Sequence, residues 1–128
     1  MSDKCFNTRT AEISLEKEGY IKLKIIAGSV IDEEDALDNL LVVKNLSDGQ
    51  KKLKLIDLRG QWKFTAKGKK ITEKNTSTKT TIARAYIIDS LLTKITMKFF
   101  ESFTRPSLPQ KFFSNEKEAV KWLLTFKE

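Results

Sequence analysis

Alternating apolar and polar residues near the N-terminus predict a β-hairpin. In AEISLE, Ala11, Ile13 and Leu15 share one side, and the run YIKLKI repeats the alternation, which is the period of a strand with one buried face. Only the segment KEG separates the two runs, and so short a connection joins antiparallel strands. Residues 1–9 lack this pattern, and we expect them to be flexible.

Beyond the hairpin, helical and strand-like patterns alternate. Apolar residues recur at helical spacing behind the acidic run DEED, where Asp32 is the expected N-cap. The largely apolar runs KLKLIDL and IARAYIID predict strands that are covered on both faces. Three more helices are expected: a short exposed one from about Thr65, one over LLTKITMKFFESF, and one over NEKEAVKWLLTFK that Ser114 or Asn115 caps. The short strand QKFF precedes the last helix.

This order of elements predicts an α/β fold. We expect a mixed sheet of about five strands, parallel where helices connect its strands, and about four helices that cover it. A chain of 128 residues has the usual length of one domain, and no linker or repeat interrupts it. The expected organisation is therefore a single domain over residues 10–128 behind a flexible N-terminus.

The chain contains no histidine and one cysteine, Cys5. Histidine is the usual proton-transfer side chain near neutral pH and the commonest zinc ligand, and one cysteine forms neither an internal disulfide nor a thiolate metal site. We therefore expect no enzymatic activity, no metal and no cofactor. The lone thiol suits a reducing compartment, and no apolar run is long enough for a signal peptide or a transmembrane segment, so the expected location is cytoplasmic.

The net charge of +7 is concentrated in one segment. Residues 51–84 carry eleven Lys and Arg but only Asp57 and Glu73 as acids. With Trp62 and Phe64 nearby, this segment could contact phosphates and stack on bases, or attract an acidic protein or a membrane surface. The alternative, which we favour, is a solvated helix face and loop whose aromatic residues belong to the core. Nucleic-acid binding is therefore a possible but unfavoured function.

Two carboxylates end the predicted central strands. Asp57 and Asp89 stand where a parallel sheet commonly places a binding crevice. However, an aspartate at this position also caps helices, which is the role expected of Asp89. Two such residues without histidine do not predict acid–base chemistry.

The predicted helix over residues 91–103 has a wider apolar face than contact with one core requires. Its apolar residues, which include Phe99, Phe100 and Phe103, cover an arc of roughly 180°, whereas about 100° is enough to face a core. The last helix has a similar arc. The two helices either pack side by side, or part of this surface binds a second copy, a partner protein or an apolar ligand.

Two segments resemble the STAS domain, the fold of sulfate-transporter tails and anti-sigma-factor antagonists. They are DLRGQWKFTAKG, between the third strand and the second helix, and ARAYIIDSLLTKITMKFFESFTRPSLPQKFFSNEKEAVKWL. The second segment is similar to small bacterial STAS/SEC14-like proteins in its strand that ends in Asp-Ser, its aromatic-rich helix and its Pro-x-x-Pro connection. The resemblance spans about residues 10–126 and is most specific over residues 84–123.

The resemblance implies that a phosphorylation switch is missing. In the antagonists, a DLSG strand end leads to a DSSG helix start, whose middle serine accepts phosphate. Here DLRG and TAKG take these places, so Ala66 stands at the phosphoacceptor position and has no hydroxyl. The neighbouring Thr65 is expected to cap the helix.

The function that the resemblance implies is a non-enzymatic protein-interaction or regulatory domain. Its partner-facing residues would be Arg59, Lys63, Thr65, Lys67 and Lys69, and the unknown protein partner could be a second copy of the chain. The alternative is a carrier of an apolar small molecule or lipid, held by Phe99, Phe100 and Phe103, as the SEC14 side of the resemblance suggests.

Overall fold

The computed structural model describes residues 4–74, 80–89 and 108–127. Each element is named in chain order. They are β1 (Lys4–Asn7), β2 (Ala11–Leu15), β3 (Tyr20–Ile25), β4 (Val30–Ile31), α1 (Glu33–Ser47), β5 (Lys52–Asp57), β6 (Lys63–Phe64), α2 (Ala66–Lys74), β7 (Thr81–Ile87), β8 (Gln110–Phe113) and α3 (Glu116–Leu124).

Six strands form the main sheet in the order β1, β2, β3, β5, β7, β8. The pairs β1–β2 and β2–β3 are antiparallel, and the pairs β3–β5, β5–β7 and β7–β8 are parallel. The predicted hairpin and the predicted mixed α/β sheet are therefore confirmed. A separate small sheet pairs β4 with β6 in parallel.

Helices cover both faces of the main sheet. Alternate residues of a strand point to opposite faces. On one face, Ile21, Tyr86 and their neighbours pack against α1 and α2. On the other face, Leu55, Ala85 and their neighbours pack against Ala119 and Leu123 of α3. Strands β5 and β7 lie between the two cores, which explains why their sequences are largely apolar.

The sheet has one strand more than expected, because the prediction missed β1. Residues 1–9 are expected to be flexible, whereas Lys4–Asn7 pair with β2, with Phe6 opposite Ile13. Cys5, Phe6 and Asn7 are all exposed, so this edge strand buries no face. Its sequence therefore shows no alternation of apolar and polar residues. Arg9 fastens the same segment to α1 through the Asp35 carboxylate.

The described helices number three rather than about four. The predicted helix over residues 91–103, with Phe99, Phe100 and Phe103, lies outside the described residues. The starts of α1 and α3 agree with the prediction, although α3 ends at Leu124 and does not extend to Lys127. Asp32 is the N-cap of α1, and its backbone N–H donates to Asp35 Oδ2 at 2.9 Å. Asn115 rather than Ser114 caps α3, since Asn115 Oδ1 accepts from the Glu118 N–H at 2.9 Å.

The described helices are also relevant to membrane insertion. Among the parts of the chain that the structure describes, none of the helices has the combination of length and apolar character needed to cross a bilayer.

Candidate functional site

The small β4–β6 sheet brings the start of α2 next to the start of α1. The Thr65 N–H donates to the Ile31 carbonyl at 3.0 Å, which continues the ladder between β4 and β6. The Thr65 hydroxyl then donates to Asp32 Oδ1 at 2.7 Å and accepts from the Gly68 N–H at 3.1 Å. Thr65 is thus the N-cap of α2, as predicted. Hydrogen bonding to Thr65 and to backbone holds the pKa of Asp32 below its usual value.

Gly68 allows this close approach of the two helix starts. It is buried, and a Cβ at this position would lie 2.1 Å from the carbonyl oxygen of Ile31. The oxygen belongs to the backbone of β4, so it cannot rotate away as a side chain could. Any residue larger than glycine would therefore push α2 off the small sheet.

Exposed charges surround the first turn of α2. Lys63, Ala66 and Lys67 are exposed, and Lys67 lines a shallow polar depression together with the acidic first turn of α1. We call the surface formed by Lys63, Thr65, Ala66, Lys67 and Asp32 the α2 corner. It contains both signs of charge and Ala66, which the resemblance aligns with the phosphoacceptor serine of the antagonists. Lys69, another of the predicted partner-facing residues, lies on the next turn of α2 and is half-buried.

Arg59 does not belong to the α2 corner. Its guanidinium donates to both oxygens of Asp57, from Nε at 3.0 Å and from Nη2 at 2.8 Å, and it lies 3.9 Å from Oε1 of Glu116 at the start of α3. Asp57 is only 2% exposed and faces the α3 side. Burial raises the pKa of Asp57, but the hydrogen bonds from the Arg59 side chain and backbone outweigh it, so the pKa is lowered. The five predicted partner-facing residues are therefore not one cluster.

The two strand-end aspartates shape the loop that follows β5. Asp57 Oδ1 accepts from the Arg59 backbone N–H at 3.1 Å, and Asp89 Oδ2 accepts from the Gly60 N–H at 2.8 Å. Gly60 has a backbone φ of 95°, a conformation that residues with a side chain rarely adopt. These contacts give both carboxylates a structural role. In the described ranges, no group of three or more Cys, Asp or Glu side chains is placed to hold a metal ion.

The basic residues of segment 51–84 do not form one surface. Lys51, Lys63 and Lys67 are exposed, but Lys54 and Arg84 point into the molecule. The local excess of charge in the sequence is thus divided between the surface and the interior.

Lys54 and Arg84 face a cavity between the sheet and helices α1 and α2. The cavity has a volume of about 480 Å³. Its walls are mainly apolar, with Leu23 of β3, Val43 of α1 and Trp62 among the residues that line it. This site was not predicted, because Lys54 and Arg84 resemble surface charges in the sequence. The available signal was their position inside strands whose neighbouring residues are apolar.

Comparisons with known proteins agree with this architecture. None of the curated proteins compared with the chain matches it significantly. Among solved structures, the chain is similar to an uncharacterized protein of the DUF3478 family with a SpoIIAA-like fold from Shewanella loihica PV-4. The TM-score is 0.66 and the sequence identity is 17%, over 94% of this chain and 90% of that one. The SpoIIAA-like fold is the STAS-like fold that the sequence predicts. Residues 13–127 match the family described as a domain of unknown function, DUF7793, and the chain belongs to that family.

Proposed function

We propose that this protein is a non-enzymatic interaction domain that docks a protein partner through the α2 corner and does so without a phosphorylation switch. The observation that carries the proposal is the exposed Ala66 at the start of α2, between the exposed Lys63 and Lys67. In the antagonists that the sequence resembles, the residue at this place is the serine that governs partner binding.

The contacts of Thr65 support a docking surface that stays in one state. Its hydroxyl is already donor to Asp32 and acceptor from Gly68, so modification of Thr65 would break the cap of α2. Ala66 offers only a methyl group. The α2 corner thus keeps, in an exposed place, the position at which the antagonists carry their phosphoacceptor serine. Ala66 at this position has no hydroxyl that could accept phosphate.

The chemistry of the strand ends favours binding over catalysis. The chain has no histidine, and the carboxylates of Asp57 and Asp89 are engaged by Arg59 and Gly60. General acid–base catalysis requires a group that can exchange a proton near the working pH, whereas the Arg59 contacts favour the charged form of Asp57.

Charge reversal at the α2 corner tests the proposal. The double variant Lys63→Glu/Lys67→Glu is compared with Lys17→Glu/Lys121→Glu, a matched pair of exposed lysines on the hairpin turn and on α3. Each protein is used to capture partners from cells that naturally produce it, with quantitative mass spectrometry as the readout. We expect a partner that the wild type and the control pair retain and that the corner variant loses at least about ten-fold.

Light scattering on the purified proteins tests whether the partner is a second copy of the chain. If it is, the wild type and the control pair form oligomers, and the corner variant alone is monomeric. If the corner variant retains every partner and every oligomeric state of the wild type, the proposal is wrong.

A further inference from the structure

Two cations lie side by side at one end of the cavity. Lys54 of β5 and Arg84 of β7 are directly paired across neighbouring parallel strands. Both lie on the face that α1 and α2 cover, because they alternate with Leu55 and Ala85, which belong to the α3 side. Arg84 is only 5% exposed. Like charges directly opposite one another across a strand pair destabilise a sheet, and burial increases that cost.

The contacts of these two cations are with neutral groups. Lys54 Nζ donates to Thr80 Oγ1 at 3.0 Å, and Arg84 Nη1 donates to Tyr86 Oη at 3.3 Å. None of the ion pairs among residues 4–74, 80–89 and 108–127 includes Lys54 or Arg84. Burial and the charge of Arg84 lower the pKa of Lys54 to about 8, which agrees with the absence of a counter-anion among the described residues around it.

Among the described residues that line the rest of the cavity, the exposed Lys44 of α1 is the one further charged side chain, and most of the others are apolar. From Lys54 and Arg84 the lining continues over Leu23 and Val43 to Trp62, whose indole N–H is already bound to the Leu58 carbonyl at 2.9 Å. A volume of about 480 Å³ lies in the range of about 300 to 1,000 Å³ typical of small-molecule sites. An occupant that satisfies both ends combines an anionic head with an apolar body.

We propose that this cavity binds an anionic amphiphile, whose carboxylate or phosphate head contacts Lys54 and Arg84 and whose apolar body extends towards Trp62. The planar guanidinium of Arg84 matches the geometry of either head group. The head would neutralise the two neighbouring cations, and the body would replace water along the apolar walls. This site is separate from the α2 corner, so either proposal can fail without the other.

Trp62 provides the binding signal. The second tryptophan, Trp122, contacts Phe113 and Phe126 on the opposite face, so a Trp122→Phe background leaves Trp62 as the reporter. Dodecanoate, dodecyl phosphate and dodecanol share one tail and differ in the head group. We expect at least one of the two anions to bind about ten-fold or more tightly than dodecanol. Tighter binding of dodecanoate indicates a fatty-acid ligand, and tighter binding of dodecyl phosphate a phospholipid-type head group.

Removal of either charge tests the assigned residues. In Lys54→Met and Arg84→Met, a side chain of similar length loses its charge, while Lys51→Met changes an exposed lysine just before β5 as a control. We expect each cavity variant to weaken anion binding about ten-fold or more and to leave dodecanol binding unchanged. Should Arg84→Met not fold, Lys54→Met and Lys54→Gln provide the comparison. Equal affinities for dodecanol and both anions, no binding of any probe, or unchanged anion binding in the folded variants would each overturn the proposal.

Discussion

Lys54 is the residue whose surroundings differ most from those that its sequence suggests. It belongs to β5, in which lysine and leucine alternate, a pattern that suggests an exposed lysine side. In the fold, however, the lysine side of β5 is covered by α1 and α2, and the leucine side is covered by α3. Arg84 and Tyr86 of β7 and the exposed Lys44 of α1 line the same cavity. All of these groups are cationic or neutral near pH 7, so none of them stabilises the ammonium. Apart from the hydrogen bond to Thr80, the ammonium has no described stabilising contact, and we expect Lys54 to lower the stability of the folded chain while it remains charged.

This environment predicts an unusual dependence of stability on pH. The pKa of Lys54 is about 8 in the folded protein against 10.5 as the ordinary value. Between these values the unfolded chain binds more protons than the folded one, so the contribution of Lys54 to the free energy of unfolding rises with pH in this window. Below about pH 8 both states are protonated and the cost of charge burial is fully present.

Urea unfolding at about pH 7 and about pH 9.5 measures this effect. We expect Lys54→Met to be more stable than the wild type at the lower pH by about 1 kcal/mol or more, and the difference to shrink at the higher pH. Lys51→Met, which changes an exposed lysine just before β5, is the matched control. A difference for Lys54→Met that is constant over the two pH values would contradict the expected burial of the charge.

Residues whose role depends on near neighbours in the chain could be predicted. Thr65 and Asn115 cap α2 and α3 through backbone N–H groups three residues ahead, a distance along the chain that the sequence displays directly. The pairing of Lys54 with Arg84 was not predictable in this way, because the register of two strands separated by a helix decides it.

At the scale of elements, the contact of α2 with β4 is unusually tight. The helix begins where β6 ends, and Gly68 lies against the Ile31 carbonyl on the neighbouring strand. This approach places the starts of α1 and α2 side by side, and it therefore shapes the α2 corner. The helix tolerates a glycine, which costs about 1 kcal/mol relative to alanine inside a helix, because only hydrogen fits at this contact.

The variant Gly68→Ala separates helix propensity from packing. Propensity alone predicts a gain in stability, but the added Cβ would lie 2.1 Å from the Ile31 oxygen, so we expect a loss of about 1 to 3 kcal/mol in the free energy of unfolding. Lys70→Ala, an exposed position on the same helix, is the control and should change stability by less than about 0.5 kcal/mol. Chemical denaturation measures both. A stabilised Gly68→Ala protein would show that α2 does not lie this close to β4.

Elements with a buried face were predicted, and elements without one were not. Strands β2 and β3 were predicted from their alternation and β5 and β7 from their largely apolar runs, since all four bury apolar residues against helices. Strand β1 and the two-residue strands β4 and β6 were missed. The first buries no face, and the other two are too short to show a period.

The topology of the whole molecule predicts a gradient of backbone protection. Strands β5 and β7 have a hydrogen-bonded neighbour on each side and a helical layer on each face, whereas β1 is an edge strand with exposed side chains. Hydrogen–deuterium exchange should therefore be slowest over Leu53–Asp57 and Ala83–Ile87, and roughly ten-fold or more faster over Lys4–Asn7. Dilution of the protein provides the control, because the exchange of β1 should not depend on concentration. Strong protection of β1 that disappears on dilution would instead indicate that its free edge pairs with a second copy.

The sequence by itself determined the α/β class, the order of the main elements, the caps of the helices and the absence of histidine chemistry. These properties depend on residue type and on spacing over a few residues, which the chain displays without folding. Only the tertiary structure decided that Arg59 turns to Asp57, that Lys63, Thr65 and Lys67 surround Ala66, and that Lys54 and Arg84 meet inside a cavity. Each of these contacts depends on the burial and register of strands and loops that the fold brings together. A lysine on the surface and a lysine in a cavity are the same letter in the sequence.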